Sequence, residues 1–417
     1  MVQAAARSPE VPQAYRTHPL LDPRLPSHDP GLARVWLSVW RKLLREPDAS
    51  GRMVASYARP AGSASQVPLA MAAHYRDADL YLDDLLRLVP DSLSRHLEPL
   101  ARTRRLNAMI DLFHAVFEGT DARVRYEAQR KLYLGKLLFD IEHCRSVHDG
   151  PHHRQCFESA LSEGLWSGME EGAEVEICCR LSRDKDGSER FEVGISPAPG
   201  ARCYGFHLRR LRPSEGEGSI EVFHYRSRFK REANLAPPTE GEDGLLALAE
   251  EARWPALGGR GGSILSKMIR RGLAHPSAVE DMLGAMFIVG ERRQAYALER
   301  RLLSVLGGPL RWRDRVDTLS GRRDRERLGP SSSSGFEVLK SIVDVLAEDP
   351  ADPSPYLFPV EIQIYTIGAY LRTLHDEHFA SHTAYKRRQF LRDLIPLLFP
   401  PQIYGEETLL LGGTAAG

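Results

Sequence analysis

Apolar and polar positions follow two different periods along this chain, and the change of period divides it. Asp29-Pro30 reads as a helix cap with proline at the first helical position, followed by Leu32, Val35, Val39 and Leu43 at helical spacing. Further helical patterns cover about 68–118 and 121–146, the latter with Val124, Ala128, Leu132 and Leu138 among polar neighbours. Near residue 173 the period drops toward two. AEVEICCRL, ERFEVGIS, CYGFHLRRL and IEVFHYRSRFK are short, β-prone segments separated by turns such as DKDG and PAPG. SILSKMIRRG then reads as a helix, LGAMFIVG as a buried strand and RQAYALERRLLSVLG as a helix. RWRDRVDTL, FEVLKSIVDVL and YLFPVEIQIYT read as strands, and 367–396 as two helical stretches. The expected organisation is a Pro/Ala-rich arm over 1–28, an all-helical region over 29–165, an α+β domain with a mixed sheet over 166–400, and a tail over 401–417. A polar Gly/Pro-bearing insertion occupies 231–262.

Composition narrows the class of protein. The 417 residues carry 56 basic and 56 acidic side chains, so no net field draws the whole molecule to nucleic acid or membrane, although a local basic patch can still bind phosphate. No apolar h-region opens the sequence, and no run reaches the roughly 18 apolar residues of a membrane helix. The five cysteines, Cys144, Cys156, Cys178, Cys179 and Cys203, form no C-x-x-C pair. They are expected as buried thiols of a soluble, reduced, cytoplasmic protein rather than as a disulfide framework.

Candidate chemistry lies in the second half. On the strand YLFPVEIQIYT, alternation places Val360, Ile362 and Ile364 on one face and Glu361, Gln363 and Tyr365 on the other. A carboxylate on a central strand needs a cation or hydrogen bonds; taken alone, Glu361 is more simply explained by an ordinary ion pair on a solvated face. Asp281, just before LGAMFIVG, supplies a second acid that could share a divalent ion with Glu361, or cap and pair locally. In IEVFHYRSRFK, alternation puts His224, Arg226, Arg228 and Lys230 on one face. Such a ladder suits phosphate oxygens and suits equally the protection of a sheet edge. GGRGGSILSKMIRRG releases the backbone before a helix N-terminus that can receive an anion, with Ser263 at the cap and Lys267 one turn on, but lacks the Walker A spacing. His375, His378 and His382 share a helical face without the further ligand a structural zinc needs.

In order along the chain, these stretches resemble the synthetase domain of the RelA/SpoT family. The resemblance rests on Arg228-Phe229-Lys230, Ser263-Ile264-Leu265-Ser266-Lys267-Met268, Asp281-Met282-Leu283-Gly284, Gly335 to Lys340, Glu361-Ile362-Gln363-Ile364-Tyr365-Thr366, and His382-Thr383-Ala384-Tyr385-Lys386. It covers about 218–390. It implies a nucleotidyltransferase fold resembling DNA polymerase β and a Mg²⁺-dependent transfer of pyrophosphate from ATP to a 3′-hydroxyl. The acceptor would be a guanosine nucleotide, as in guanosine tetraphosphate metabolism, or, as in toxin-like relatives, an adenosine nucleotide or the 3′ end of tRNA. Asp281 and Glu361 would be the metal-binding and catalytic acids. Arg226, Arg228, Lys230, Ser263 and Lys267 would hold ATP phosphates, and Phe336, Lys340, Gln363, His382 and Lys386 would lie on the acceptor side.

The departures are specific. Met286 and Tyr365 stand where the family has arginine, and Lys340 where it has histidine. The lysine expected before the glycine loop is replaced within Ser331–Ser334, and Arg260, Arg322, Arg323, Arg325 or Arg327 could compensate. These losses keep open a nucleotide-binding regulator without turnover. The helical half is expected to bind a protein partner or regulate the second half. No hydrolase motif is legible there: His28-Asp29 lies in the proline-rich arm and His148-Asp149 beside a Gly-Pro turn.

Overall fold

The computed structural model describes residues 67–87, 89–183, 189–194, 200–212, 218–230, 262–273, 275–319, 337–348, 354–374, 390–406 and 408. The expected arm and the helix after Asp29 lie outside them, as does the insertion up to residue 261. The chain forms two compact units. One comprises 1–145, 257–279 and 390–417, the other 146–256 and 280–389. Each unit draws on separated stretches of the sequence.

The described residues of the first unit are helical. Its main described elements are α1 (Val67–Leu86), α2 (Met109–Glu118) and α3 (Ala122–His143). The Asp121 side chain caps α3 by accepting from the Arg123 and Val124 amides. Met71 and Tyr75 of α1, Leu112 and Val116 of α2, and Ala128 and Phe139 of α3 form one apolar cluster. Two distant segments complete the unit. The Tyr81 hydroxyl meets Ser266 Oγ at 2.7 Å, tying α1 to a later helix, α5 (Gly262–Arg271). Arg130 on α3 is buried, bonds the Leu398 carbonyl at 2.6 Å and lies over the Phe399 ring.

The second unit carries an eight-stranded mixed sheet among its described residues, in the order β2-β1-β3-β4-β5-β8-β7-β6. The strands are β1 (Met169–Arg183), β2 (Glu189–Gly194), β3 (Arg202–Leu211), β4 (Ile220–Phe229), β5 (Leu283–Val289), β6 (Trp312–Asp317), β7 (Leu339–Glu348) and β8 (Pro355–Thr366). Only β5 and β8 pair parallel; every other described pairing is antiparallel. The α+β mixed-sheet class therefore holds, and the strand carrying Glu361 is interior.

Helices α4 (Gly150–Gly164) and α6 (Arg292–Val305) touch each other and the central strands. On the covered face, Arg154 Nε of α4 donates to Ser227 Oγ at 3.0 Å. The Tyr225 hydroxyl donates to Glu158 at 2.8 Å, and burial beside that carboxylate pushes the phenol far above its usual range. Helix α7 (Ile367–Leu374) packs Tyr370, Leu371 and Leu374 against Ile177 of β1, Phe206 of β3, Ile288 of β5 and Tyr365 of β8.

The thiol expectation is corrected at one place. Cys178 of β1 and Cys203 of β3 stand directly opposite, Cα atoms 3.9 Å apart, and are joined in a disulfide. Linear spacing could not show this, because it depends on which strands pair. Cys144, Cys156 and Cys179 remain free. Burial pushes the Cys179 thiol up to about 11.

Candidate active site

The register of four adjacent strands builds the site. Arg228 of β4 lies opposite Gly284 of β5, Gly284 opposite Glu361 of β8, and Glu361 opposite Ile342 of β7. One step along, the row reads Arg226, Met286, Gln363 and Lys340. Paired residues in neighbouring strands share a face, so these side chains project from the same side of the sheet. The intervening positions Ser227, Ala285, Ile362 and Ser341 point to the opposite side and are buried.

Gly284 shapes the first row. Arg228 and Glu361 are two strand spacings apart, about 10 Å, and the β5 residue paired with both, Gly284, carries no side chain. A Cβ at Gly284 would meet only the Glu361 carbonyl oxygen, at 3.8 Å. The glycine is not forced by crowding; its effect is to leave a trough between a cation and a carboxylate. The sequence alone gives this glycine no role, because its position opposite Glu361 depends on the parallel β5–β8 pairing.

Glu361 is 7% exposed, and both its oxygens are engaged. Gln363 Nε2 donates to Oε1 at 2.5 Å, while the Lys340 ammonium pairs with Oε2. The Tyr365 hydroxyl in turn donates to Gln363 Oε1 at 3.0 Å. Asp281 lies in the turn before β5 and pairs with Lys230 Nζ at 2.5 Å. The Lys230 amide donates to the Met282 carbonyl at 3.0 Å, extending the β4–β5 pairing to the site. Asp281 precedes Gly284 by three residues, hence by at most about 10 Å of chain.

Other expected residues are placed differently. Ser263 and Lys267 are on α5, in the helical unit. The helix already includes Gly262, so Ser263 stands in the first turn rather than at the cap. Met286 is half-buried and packs against the apolar cluster under α7, and Tyr365 is buried within it. Phe336, His382 and Lys386 lie outside the described residues, with His375, His378, Ser331–Ser334 and the arginines Arg260, Arg322, Arg323, Arg325 and Arg327. Among the described residues, Glu176, Cys178 and Cys203 bring three ligand-type atoms together, but the disulfide leaves those sulfurs without thiolate character. No helix among them is long and apolar enough to cross a membrane.

No protein-family model and no curated protein matches the chain. Similarity does extend to solved structures. Small alarmone synthetase 1 from Bacillus subtilis, bound to its product pppGpp, is 16% identical, with 37% of this chain and 74% of that chain covered and a TM-score of 0.23. Small alarmone synthetase 2 from Bacillus subtilis is 17% identical, with 46% and 74% covered and a TM-score of 0.24. A GTP pyrophosphokinase family protein from Streptococcus pneumoniae is 14% identical, with 46% and 70% covered and a TM-score of 0.24. At such identities and TM-scores the likeness decides nothing about the chemistry of this chain.

Proposed function

We propose that the sheet-bearing unit is a divergent pyrophosphokinase of RelA/SpoT type, moving the β,γ-pyrophosphate of ATP to the 3′-hydroxyl of a guanosine nucleotide or a related acceptor. The observation that carries this reading is the row Arg228–Gly284–Glu361, with the Lys230–Asp281 pair at its margin. Phosphoryl-type transfer is catalysed mainly by positioning and by neutralising charge on phosphoryl oxygens. A trough with guanidinium on one wall and carboxylate on the other offers both. The ordered motifs of the sequence give it direction.

In this reading Arg226, Arg228 and Lys230 bind ATP phosphates, while Ser263 and Lys267 have a phosphate role from the order of the sequence motifs alone. The acceptor 3′-oxygen attacks the β-phosphorus, the bond from that phosphorus to the α,β-bridging oxygen breaks, and AMP leaves. The acceptor proton passes to the Glu361 carboxylate. Lys340 and Gln363 bound the acceptor side, with Phe336, His382 and Lys386 assigned to it by the motif order. Two carboxylates are hard oxygen donors of the kind Mg²⁺ takes alongside substrate phosphates, and Asp281 and Glu361 would hold it once their lysines turn to phosphate. The ion would supply further neutralisation of triphosphate charge.

The test uses purified protein, Mg²⁺ and γ-labelled ATP against GDP, GTP, AMP, ADP, ATP and bulk tRNA. A labelled acceptor is expected, with Glu361→Gln lowering the rate by about 10²–10⁴-fold, the usual loss of a general base. Absence of label on every acceptor would overturn the reading.

A second reading has its own observation. Both acids are held by lysines, Asp281 by Lys230 and Glu361 by Lys340, an arrangement that also suits a nucleotide-binding regulator without turnover. Calorimetry showing nucleotide binding beside a null transfer assay would select it. The helical unit is proposed as the part that binds a protein partner or regulates the sheet unit, and the protein as a cytoplasmic one.

A further inference from the structure

Position 365 carries tyrosine where the motif of the resembling family carries arginine, and the structure gives that tyrosine a definite employment. On β8, residues 361, 363 and 365 share one face, and their side chains form a chain of directed hydrogen bonds. Tyr365 O–H donates to Gln363 Oε1 at 3.0 Å, and Gln363 Nε2 donates to Glu361 Oε1 at 2.5 Å. The direction is determined. A carboxylate oxygen only accepts, so the amide must present its nitrogen to Glu361 and its oxygen to position 365, where a donor is required.

The far end of the chain is rigid. Tyr365 is 6% exposed and sits in the cluster of Ile288, Val338, Tyr370, Leu371 and Leu374. Its ring lies edge-on to Tyr370 of α7, centroids 6.0 Å apart. An aromatic side chain in a packed core has a fixed hydroxyl position, and a glutamine held at both ends loses its freedom to flip. Only the other Glu361 oxygen is left to the half-exposed Lys340.

We propose that Tyr365 is a positioning residue: through Gln363 it fixes the Glu361 carboxylate in the orientation that faces the trough at Gly284. Its catalytic consequence rests on the function proposed above; its structural content does not. Tyr365→Phe, which keeps the ring and removes one neutral hydrogen bond, is expected to lower kcat by about 3–10-fold. KM for ATP should stay within twofold, because the phosphate-binding cations are untouched. In a Gln363→Leu background the same substitution should cost nothing further, since the relay is already cut. Leu371→Val, which thins the same cluster without touching the relay, should leave kcat within twofold.

An activity-independent readout is the side-chain amide of Gln363 in ¹H–¹⁵N spectra, assigned by its loss in Gln363→Leu. It is expected as one slowly exchanging, well-dispersed NH₂ pair in the parent protein. In Tyr365→Phe it should move toward free-amide positions and exchange faster. An unchanged Gln363 amide in Tyr365→Phe, or an equal kcat loss in Leu371→Val, would overturn the proposal. Should the parent protein transfer nothing to any acceptor, the function reading falls, and the amide spectrum still decides the relay.

Discussion

At the scale of single residues, the site depends on one side chain that is absent, at Gly284, and one that pairs with the buried carboxylate, Lys340. Gly284 separates Arg228 from Glu361, and a Cβ there would make only ordinary contact. Gly284→Val should therefore fold, with a melting temperature within a few degrees of the parent, while filling the trough. Nucleotide affinity measured by calorimetry is expected to fall at least tenfold; undiminished binding would show that phosphates do not pass over this glycine. Lys340 makes a second prediction. Removing it leaves a nearly buried carboxylate with one amide donor, and breaking such a pair costs about 3–5 kcal/mol when fully buried. Lys340 is 29% exposed, so about 1–3 kcal/mol is expected for Lys340→Ala in denaturant unfolding. Glu361→Gln in the same chain should recover most of that loss, because the charge left stranded is then gone. An additive double variant would mean that the two side chains do not stabilise each other.

Elements show which information is local and which is not. Period-two alternation is a local property of the pleat, so the shared face of Glu361, Gln363 and Tyr365, and that of Arg226 and Arg228, could be read directly from the strands. The segments written as strands in the sequence all appear, with ends shifted by a few residues. Pairing order and register are long-range. Nothing in LGAMFIVG says that Gly284 will face Arg228 on one side and Glu361 on the other, and nothing in AEVEICCRL says that Cys178 will face Cys203. The helix SILSKMIRRG looks the same whether it covers a sheet or joins a bundle, so its place in the helical unit was not legible. Helix-on-sheet packing offers a test at this scale. A Cβ at Gly150, the first residue of α4, would overlap the ring of Phe229 at the end of β4. Overpacking of this kind costs about 1–3 kcal/mol, so Gly150→Ala should lower stability by that amount in denaturant unfolding. Phe229→Leu should relieve part of the clash; equal losses with and without it would place the strain elsewhere.

For the whole molecule, the interleaving of the units decides which pieces can exist alone. The helical unit is assembled from three stretches of chain, and its later stretches bury Ile264, Leu265, Met268, Ile269, Leu394, Ile395, Leu398 and Phe399. Much of the surface they cover belongs to α3, whose Arg130 and Tyr126 hold the carbonyls of Leu397 and Leu398. Deleting residues 1–145 removes that surface while leaving those side chains attached to the rest of the chain. Exposing each costs about 1.5–3 kcal/mol, and four of them already match the 5–15 kcal/mol that keeps an ordinary domain folded. The deletion is therefore expected to give insoluble or noncooperatively unfolding protein, rather than an unregulated enzyme, so a lost activity in that variant would say nothing about gating. A soluble, cooperatively folding fragment would show that the later segments do not depend on α3. Cysteine counting makes an independent check on the sheet unit. Denaturation and alkylation without reductant should modify three cysteines, Cys144, Cys156 and Cys179, and all five only after reduction. Five modified residues in the unreduced protein would mean that Cys178 and Cys203, though opposed across β1 and β3, remain thiols as the composition first suggested.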